Sequence, residues 1–173
     1  SFALSFGGQS CSISLTVNAL QPTITSLNCG TVSYNATATA NTAYSGTATI
    51  SYNGGNGAVY SSGTSIASSG VTGLTATLQA GTLANGNGSL TYAISGTPAS
   101  AGTASFALSF GGQSCSISLT VNALQPSITS LNCGTVSYNA TATANTAYSG
   151  TATVSYNGGN GAVYSSGTSI AST

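Results

Sequence analysis

The stretch SFALSFGGQSCSISLTVN, residues 105–122, decides the fold class of this chain. Apolar side chains occupy every second position in both of its halves: Phe106, Leu108 and Phe110 in the first, and Cys115, Ile117, Leu119 and Val121 in the second. A period of two is typical of strands with one face in a core and the other in solvent. The intervening Gly111-Gly112-Gln113 suits a short hairpin connection. We therefore expect two antiparallel strands joined by a tight turn.

The same stretch also opens the chain, because residues 1–22 recur unchanged at 105–126. Residues 1–69 align with 105–173 without a gap and differ at three of these 69 positions: Thr23/Ser127, Ile50/Val154 and Ser69/Thr173. Such self-similarity indicates tandem repeats of 104 residues, a normal size for one domain. We expect 1–21 to be the C-terminal hairpin of a preceding repeat, 22–125 one complete repeat, and 126–173 the N-terminal half of the next, all within a longer array.

Other segments show the same alternation. The apolar sets are Leu74, Ala76 and Leu78; Leu90, Tyr92 and Ile94; and Ala48, Ile50 and Tyr52. Segments 25–29 and 32–36 also suit strands, while the Asn/Gly runs 53–57 and 85–88 indicate turns, the first leading into a strand at Val59. Seven or eight short strands per repeat predict an all-β, immunoglobulin-like antiparallel β-sandwich. A small closed barrel and a disordered low-complexity chain are the alternatives.

A resemblance makes this prediction more specific. An aromatic-x-Ile strand (Tyr92 to Ile94) leads into Gly96-Thr97-Pro98, a loop of small residues, Ala101-Gly102-Thr103 and an alternating strand. This run resembles the Ig-like or cadherin-like domains of bacterial surface proteins, and the flanking segments resemble repeats of giant secreted adhesins of Bacteroidota. The resemblance implies a tandem surface protein. It names no binding site, and the missing acidic residues argue against the calcium-stiffened linkers of cadherins.

The composition excludes most chemistry, because the chain has no Lys, Arg, Asp, Glu or His. Acid–base catalysis, triad nucleophiles and calcium or magnesium sites all need such side chains. Nucleic-acid binding needs cations to meet phosphates. No apolar run approaches the length of a membrane span. We therefore expect no enzyme activity, no metal or other cofactor, no nucleic-acid partner and no membrane insertion.

Four cysteines, two per repeat, carry the remaining chemistry. They have no His neighbours and no Cys-x-x-Cys spacing, so disulfides are favoured over zinc. In the first pairing, Cys29 bonds Cys115 and closes one repeat, while Cys11 and Cys133 pair with cysteines of adjacent repeats outside the segment. In the alternative, Cys11 pairs with Cys29 and Cys115 with Cys133, which would join successive repeats. We favour the first, because Cys29 and Cys115 lie at similar heights if both terminal strands run the length of the domain.

Two polar features have both functional and structural interpretations. Five tyrosines could form a sugar-stacking platform or pack in the sheets, and Tyr52 and Tyr92 follow the buried phase: Tyr34, Tyr44, Tyr52, Tyr60 and Tyr92. The triplets beginning at Asn35, Asn87 and Asn139 match the N-glycosylation pattern, which arises readily by chance in Asn/Thr-rich sequence.

These observations predict a structural protein at the cell surface or secreted. Neutral, disulfide-closed modules would repeat end to end as an extracellular filament or adhesin stalk, with neighbouring copies of the repeat as partners and with lateral bundling unopposed by charge. The filament could be one giant chain or strand-exchanged subunits. The alternative function is a carbohydrate-binding surface module, with exposed Tyr and Asn meeting a glycan or surface receptor.

Overall fold

The computed structural model describes residues 1–167, so the last six residues of the predicted third segment lie outside the described part. The described residues form fifteen strands and no helix, which confirms the all-β prediction. None of these residues belongs to a helix that could cross a membrane. The strands are β1 Phe2–Phe6, β2 Gln9–Ile13, β3 Ser26–Tyr34, β4 Ala38–Thr39, β5 Tyr44–Asn56, β6 Val59–Tyr60, β7 Ile66–Ala67, β8 Ser69–Gly70, β9 Leu74–Leu78, β10 Gly81–Thr82, β11 Asn85–Gly96, β12 Gly102–Phe110, β13 Gln113–Asn122, β14 Ser130–Tyr138 and β15 Ala152–Asn157.

The hairpin expected from residues 105–122 is present as β12 and β13. The two strands pair antiparallel from Gly102 opposite Val121 to Phe110 opposite Gln113. Gly111 and Gly112 both have positive φ, which glycine adopts without steric cost and which matches the twist of tight hairpins. The sequence therefore specifies both strands and the turn between them.

Strands β12 and β13 belong to a four-stranded sheet with the order β4-β13-β12-β8. Its one parallel ladder joins β13 to β4, with Val121 opposite Ala38, so the expectation of wholly antiparallel pairing was wrong at this edge. Strand β4 follows β3 after only three residues but pairs with the other sheet. Because β4 and β13 are far apart in sequence, no tight turn forces them to run antiparallel.

The second sheet has five strands in the order β3-β5-β11-β9-β7. The segments 25–29 and 32–36 expected as two strands form the single strand β3, whose pairing with β5 is irregular between Asn28 and Val32. Together the two sheets contribute buried side chains to one hydrophobic cluster that runs from Ile24 to Val121. The result is a sandwich-like arrangement, and its ordered core contradicts the disordered alternative. Both sheets have open edges in this order, so the arrangement is no closed barrel.

The two Asn/Gly runs were wrongly interpreted as turns. They pair with each other as the ends of β5 and β11, with Asn85 opposite Asn56 and Gly86 opposite Gly55, and the register shifts before Gly88. The strand expected at Val59 is β6, which pairs with β10 and not back onto β5. Glycine suits these positions because a bulge and positive φ are both tolerated there.

The end segments repeat the local structure of the complete unit without its burial. Strands β1 and β2 form a shorter hairpin in the register of β12 and β13, and β14 pairs with β15, which has 6 residues where β5 has 13, in the register of β3 and β5. However, Phe2 is 58% exposed whereas its equivalent Phe106 is fully buried. The same sequence therefore keeps the same register, but the full strand length and the burial require the rest of a unit.

Candidate functional site

The covalent site of the described chain is a disulfide between Cys29 and Cys115. Cys29 lies in β3 of the five-stranded sheet and Cys115 in β13 of the four-stranded sheet, with their Cα atoms 6.1 Å apart. The bond therefore joins the first long strand of the unit to its last, across the two sheets. This is the favoured pairing of the sequence analysis, and the alternative pairs, in which Cys29 and Cys115 bond Cys11 and Cys133, are not formed.

A hydrogen bond reinforces the disulfide between the same two strands. The Tyr34 hydroxyl at the end of β3 donates to the Ser118 carbonyl oxygen of β13, at 2.8 Å. Burial, and next the nearby Tyr44, raise the pKa of Tyr34 to about 12. The phenol therefore stays protonated and able to donate at any physiological pH.

The other two cysteines are repeat equivalents of this pair. Cys11 corresponds to Cys115 and Cys133 to Cys29, and both are exposed and unbonded in the described part of the chain. Their predicted bonding to cysteines of further repeats stays a prediction.

The tyrosines of the complete unit do not form an exposed platform. Tyr44, Tyr52 and Tyr92 are buried, and Tyr34 and Tyr60 are half-buried. The Tyr52 hydroxyl accepts a hydrogen bond from the Ala84 amide at 2.8 Å. Its ring lies against Gly55 and Gly88, where any side chain would collide with it.

Tyr60 shows the same structural use at the edge of the core. Its ring packs edge-to-face on Phe110, with the ring centroids 5.0 Å apart. Such pairs stabilise proteins through the complementary charge of ring face and ring edge. The packing interpretation of the tyrosines accounts for these contacts. The exposed tyrosines lie after residue 126, where β14 and β15 form a sheet of two strands.

The Gly96-Thr97-Pro98 motif ties three loops together at one end of the unit. Thr97 N donates to Gly73 O at 2.9 Å, while Pro98 is fully buried and its carbonyl accepts from Asn41 N at 2.8 Å. Asn41 has a φ of 57°, a left-handed conformation that asparagine tolerates. The residues that carry the family resemblance thus have a structural role at this end.

Sequence reasoning missed an asparagine that holds the segment between units. Asn160 Nδ2 donates to Gln125 O at 2.7 Å, and its Oδ1 accepts from Ser127 N at 3.2 Å. Asn56 makes the equivalent bonds to Gln21 O at 2.7 Å and Thr23 N at 3.4 Å. The only sequence signal was the position of Asn56 and Asn160, 35 residues after the linker in both copies.

The remaining surface has little chemical capability. No group of three or more metal-ligating side chains occurs among residues 1–167. One groove of the complete unit, about 370 Å³ in volume, lies where β3 crosses to β4 and is lined by neutral residues, including Tyr34 and Asn35. Asn35 is exposed, but its Oδ1 accepts from Thr47 N at 2.7 Å, which gives this asparagine a structural role in the chain crossing.

Comparisons with protein-family models, with curated proteins and with solved structures found no match to this chain.

Proposed function

We propose that this chain is a structural segment of an extracellular filament or adhesin stalk, built from tandem disulfide-closed Ig-like repeats of 104 residues. The observation that carries the proposal is the Cys29–Cys115 bond, which closes one repeat on itself around a core between Ile24 and Val121. A unit that completes its own core can be strung end to end without exchanging strands, which favours the single giant chain over strand-exchanged subunits.

The strand order supports the Ig-like form of the proposal. Taken as Ig strands A, B, E and D, the strands β3, β5, β11 and β9 are neighbours in that order in one sheet. Taken as C, F and G, the strands β8, β12 and β13 are neighbours in the other. Immunoglobulin domains of the constant type divide their strands in the same way.

The disulfide also supports the location and partners of the proposal. Structural disulfides form and persist in oxidising compartments, so a secreted or cell-surface position suits this bond. The partners are neighbouring copies of the repeat, and lateral contacts between threads would meet no charge repulsion. For the carbohydrate-binding alternative, no tyrosine of the complete unit is exposed, and no observation favours it.

Imaging of native material tests the proposal. An antibody raised against the chain should label beaded threads, with a bead spacing of about 40 Å because the longest strand has 13 residues at roughly 3.3 Å each. Labelled single globules without threads would contradict it. A reducing, denaturing gel distinguishes its two forms, since discrete bands near one small subunit would exclude the giant chain.

A further inference from the structure

The joint is the stretch of chain that connects the complete unit to the following unit. Hydrogen bonds to one unit or the other hold most of it. Asn122 belongs to the complete unit, because it pairs with Thr39 and its carbonyl accepts from Ala40 N at 2.9 Å. Gln125 belongs to the following unit through its bond to Asn160. Only Ala123 and Leu124 lie between these two attachments.

A comparison within the chain shows that the joint is packed. Leu20 and Leu124 have identical neighbours in sequence, but Leu20 follows only a hairpin whereas Leu124 follows a complete unit. Leu20 is 61% exposed, while Leu124 is half-buried. Because the local sequence is the same, the burial of Leu124 comes from the end of the complete unit.

The surroundings of Leu124 are a groove of about 300 Å³ between the two units. The complete unit lines it with Ala40, Asn41 and residues 99–101, and the following unit with residues 161–163. Nearly all of these side chains are small, so the two backbones can approach closely. Residues 99–101 follow directly on the Gly96-Thr97-Pro98 motif. The hydrogen bond from Asn41 N to Pro98 O holds Asn41, which lines the groove from the same unit, in place beside them.

The Asn160 side chain holds the linker on both sides of Pro126. Proline has no amide hydrogen, so the linker offers a carbonyl before it, at Gln125, and an amide after it, at Ser127. The side-chain amide of Asn160 is both donor and acceptor and meets both groups. Its Oδ1 also accepts from Ala162 N at 3.2 Å, which positions the loop that lines the groove.

From these contacts we infer that the joint is a specific unit-to-unit interface whose partner is the next copy of the repeat, with Asn160 and Leu124 as its positioning residues. The inference rests on the proposed tandem arrangement and adds that successive units keep a fixed mutual orientation. A thread built this way bends little at its joints. Asn56 would hold the preceding joint in the same way.

Distances between spin labels on the two sides of the joint test this inference in the chain of residues 1–173, in which Cys133 is unbonded. One label is attached to Cys133 and the other to an introduced Ser45→Cys, with Cys11→Ser preventing a third site; Ser45 is exposed in β5. The parent should give one narrow distance distribution. Asn160→Leu, which keeps the size of the side chain but removes its hydrogen bonds, should broaden the distribution roughly two-fold, because the released linker samples more conformations.

Leu124→Ser should broaden the distance distribution similarly, whereas the matched control Leu20→Ser should leave the distribution unchanged. The unfolding midpoint of the complete unit should stay the same in all three variants, which separates a joint effect from misfolding. A broad distribution in the parent, or one unaffected by Asn160→Leu and Leu124→Ser, would overturn the inference. Neither result would contradict the proposed filament of tandem repeats. That proposal would be contradicted by native material without threads.

Discussion

The Cys29 and Cys115 side chains join two distant segments of the chain covalently. No ion pair between side chains could do so, because the chain has no charged residues. The Cys29–Cys115 bond spans 86 residues and lies beside the Tyr34–Ser118 hydrogen bond, so two cross-links join β3 to β13. Closing a loop of this length restricts the unfolded chain and contributes about 4.5 kcal/mol in the chain-entropy model.

Replacing both cysteines by serine should therefore lower the free energy of unfolding of the complete unit by about 4.5 kcal/mol. Urea titration followed by circular dichroism measures this loss, and reduction of the parent should reproduce most of it. The matched control is the double variant Cys11→Ser, Cys133→Ser, which should unfold like the parent because both thiols are exposed and unbonded. Equal losses in the two double variants would show that this bond is not the stabilising one.

At the scale of elements, glycines determine how closely the loops and strands approach. Gly96 ends β11 with a φ of 131°, and an added Cβ would collide with the carbonyl of Gly73. That carbonyl accepts the hydrogen bond from Thr97, so the collision would disturb the loop contacts of the Gly-Thr-Pro motif. The glycine is required both by its backbone conformation and by the space beside it.

Gly96→Ala should consequently destabilise the unit by at least about 2 kcal/mol, since a strained φ and a backbone collision add together. The free energy of unfolding from urea titration is the measurement. Gly30→Ala is the control, because Gly30 in β3 has no positive φ and no atom within 4 Å of an added Cβ. Gly30→Ala should be neutral or slightly stabilising, because alanine restricts the unfolded chain more than glycine does. Equal losses from the two substitutions would show that the positive φ of Gly96 and its contact with Gly73 are not the cause.

At the scale of the whole molecule, the absence of acidic, basic and histidine side chains makes stability independent of pH over a wide range. The groups that do titrate with a changed pKa are tyrosines, and burial raises the pKa of Tyr34, Tyr44, Tyr60 and Tyr92. Because these pKa values are raised in the folded state, the unfolded chain loses the phenol protons at a lower pH than the folded chain does. Stability is therefore fully present below about pH 10 and is lost as the pH rises toward 12.

We expect the melting temperature of the Cys11→Ser, Cys133→Ser variant to be constant from about pH 4 to 9 and to fall between about pH 10 and 12. Removing the free thiols prevents disulfide exchange at high pH. Tyr34→Phe removes the hydrogen bond to Ser118 and should lower the free energy of unfolding by about 1 kcal/mol at neutral pH. The melting temperature of this variant should fall less steeply at alkaline pH, because one tyrosine with a raised pKa is gone. A transition near pH 4 or pH 6, or a strong dependence on salt, would contradict the charge-free account.

Some parts of the fold and of the site could be predicted from the sequence, and others could not. The alternation in 105–122 predicted β12, β13 and their turn, and repeat spacing with strand length favoured the Cys29–Cys115 pair that the structure forms. The two Asn/Gly runs were misinterpreted, because glycine and asparagine suit a bulged ladder as well as a turn. The Asn160 contacts could not be predicted, since they depend on which loop meets the linker.

The sequence by itself determined the two strands of residues 105–122 and their turn, the apolar face of each alternating segment, and the repeat of 104 residues. These are local properties, expressed within a few residues of backbone and in the alignment of the chain with itself. Only the tertiary structure decided burial, the order of the strands in the sheets and the joint: hairpins of identical sequence leave Phe2 58% exposed and Phe106 fully buried. The reason is that these properties arise from contacts between residues distant in sequence, which form only when a whole unit surrounds them.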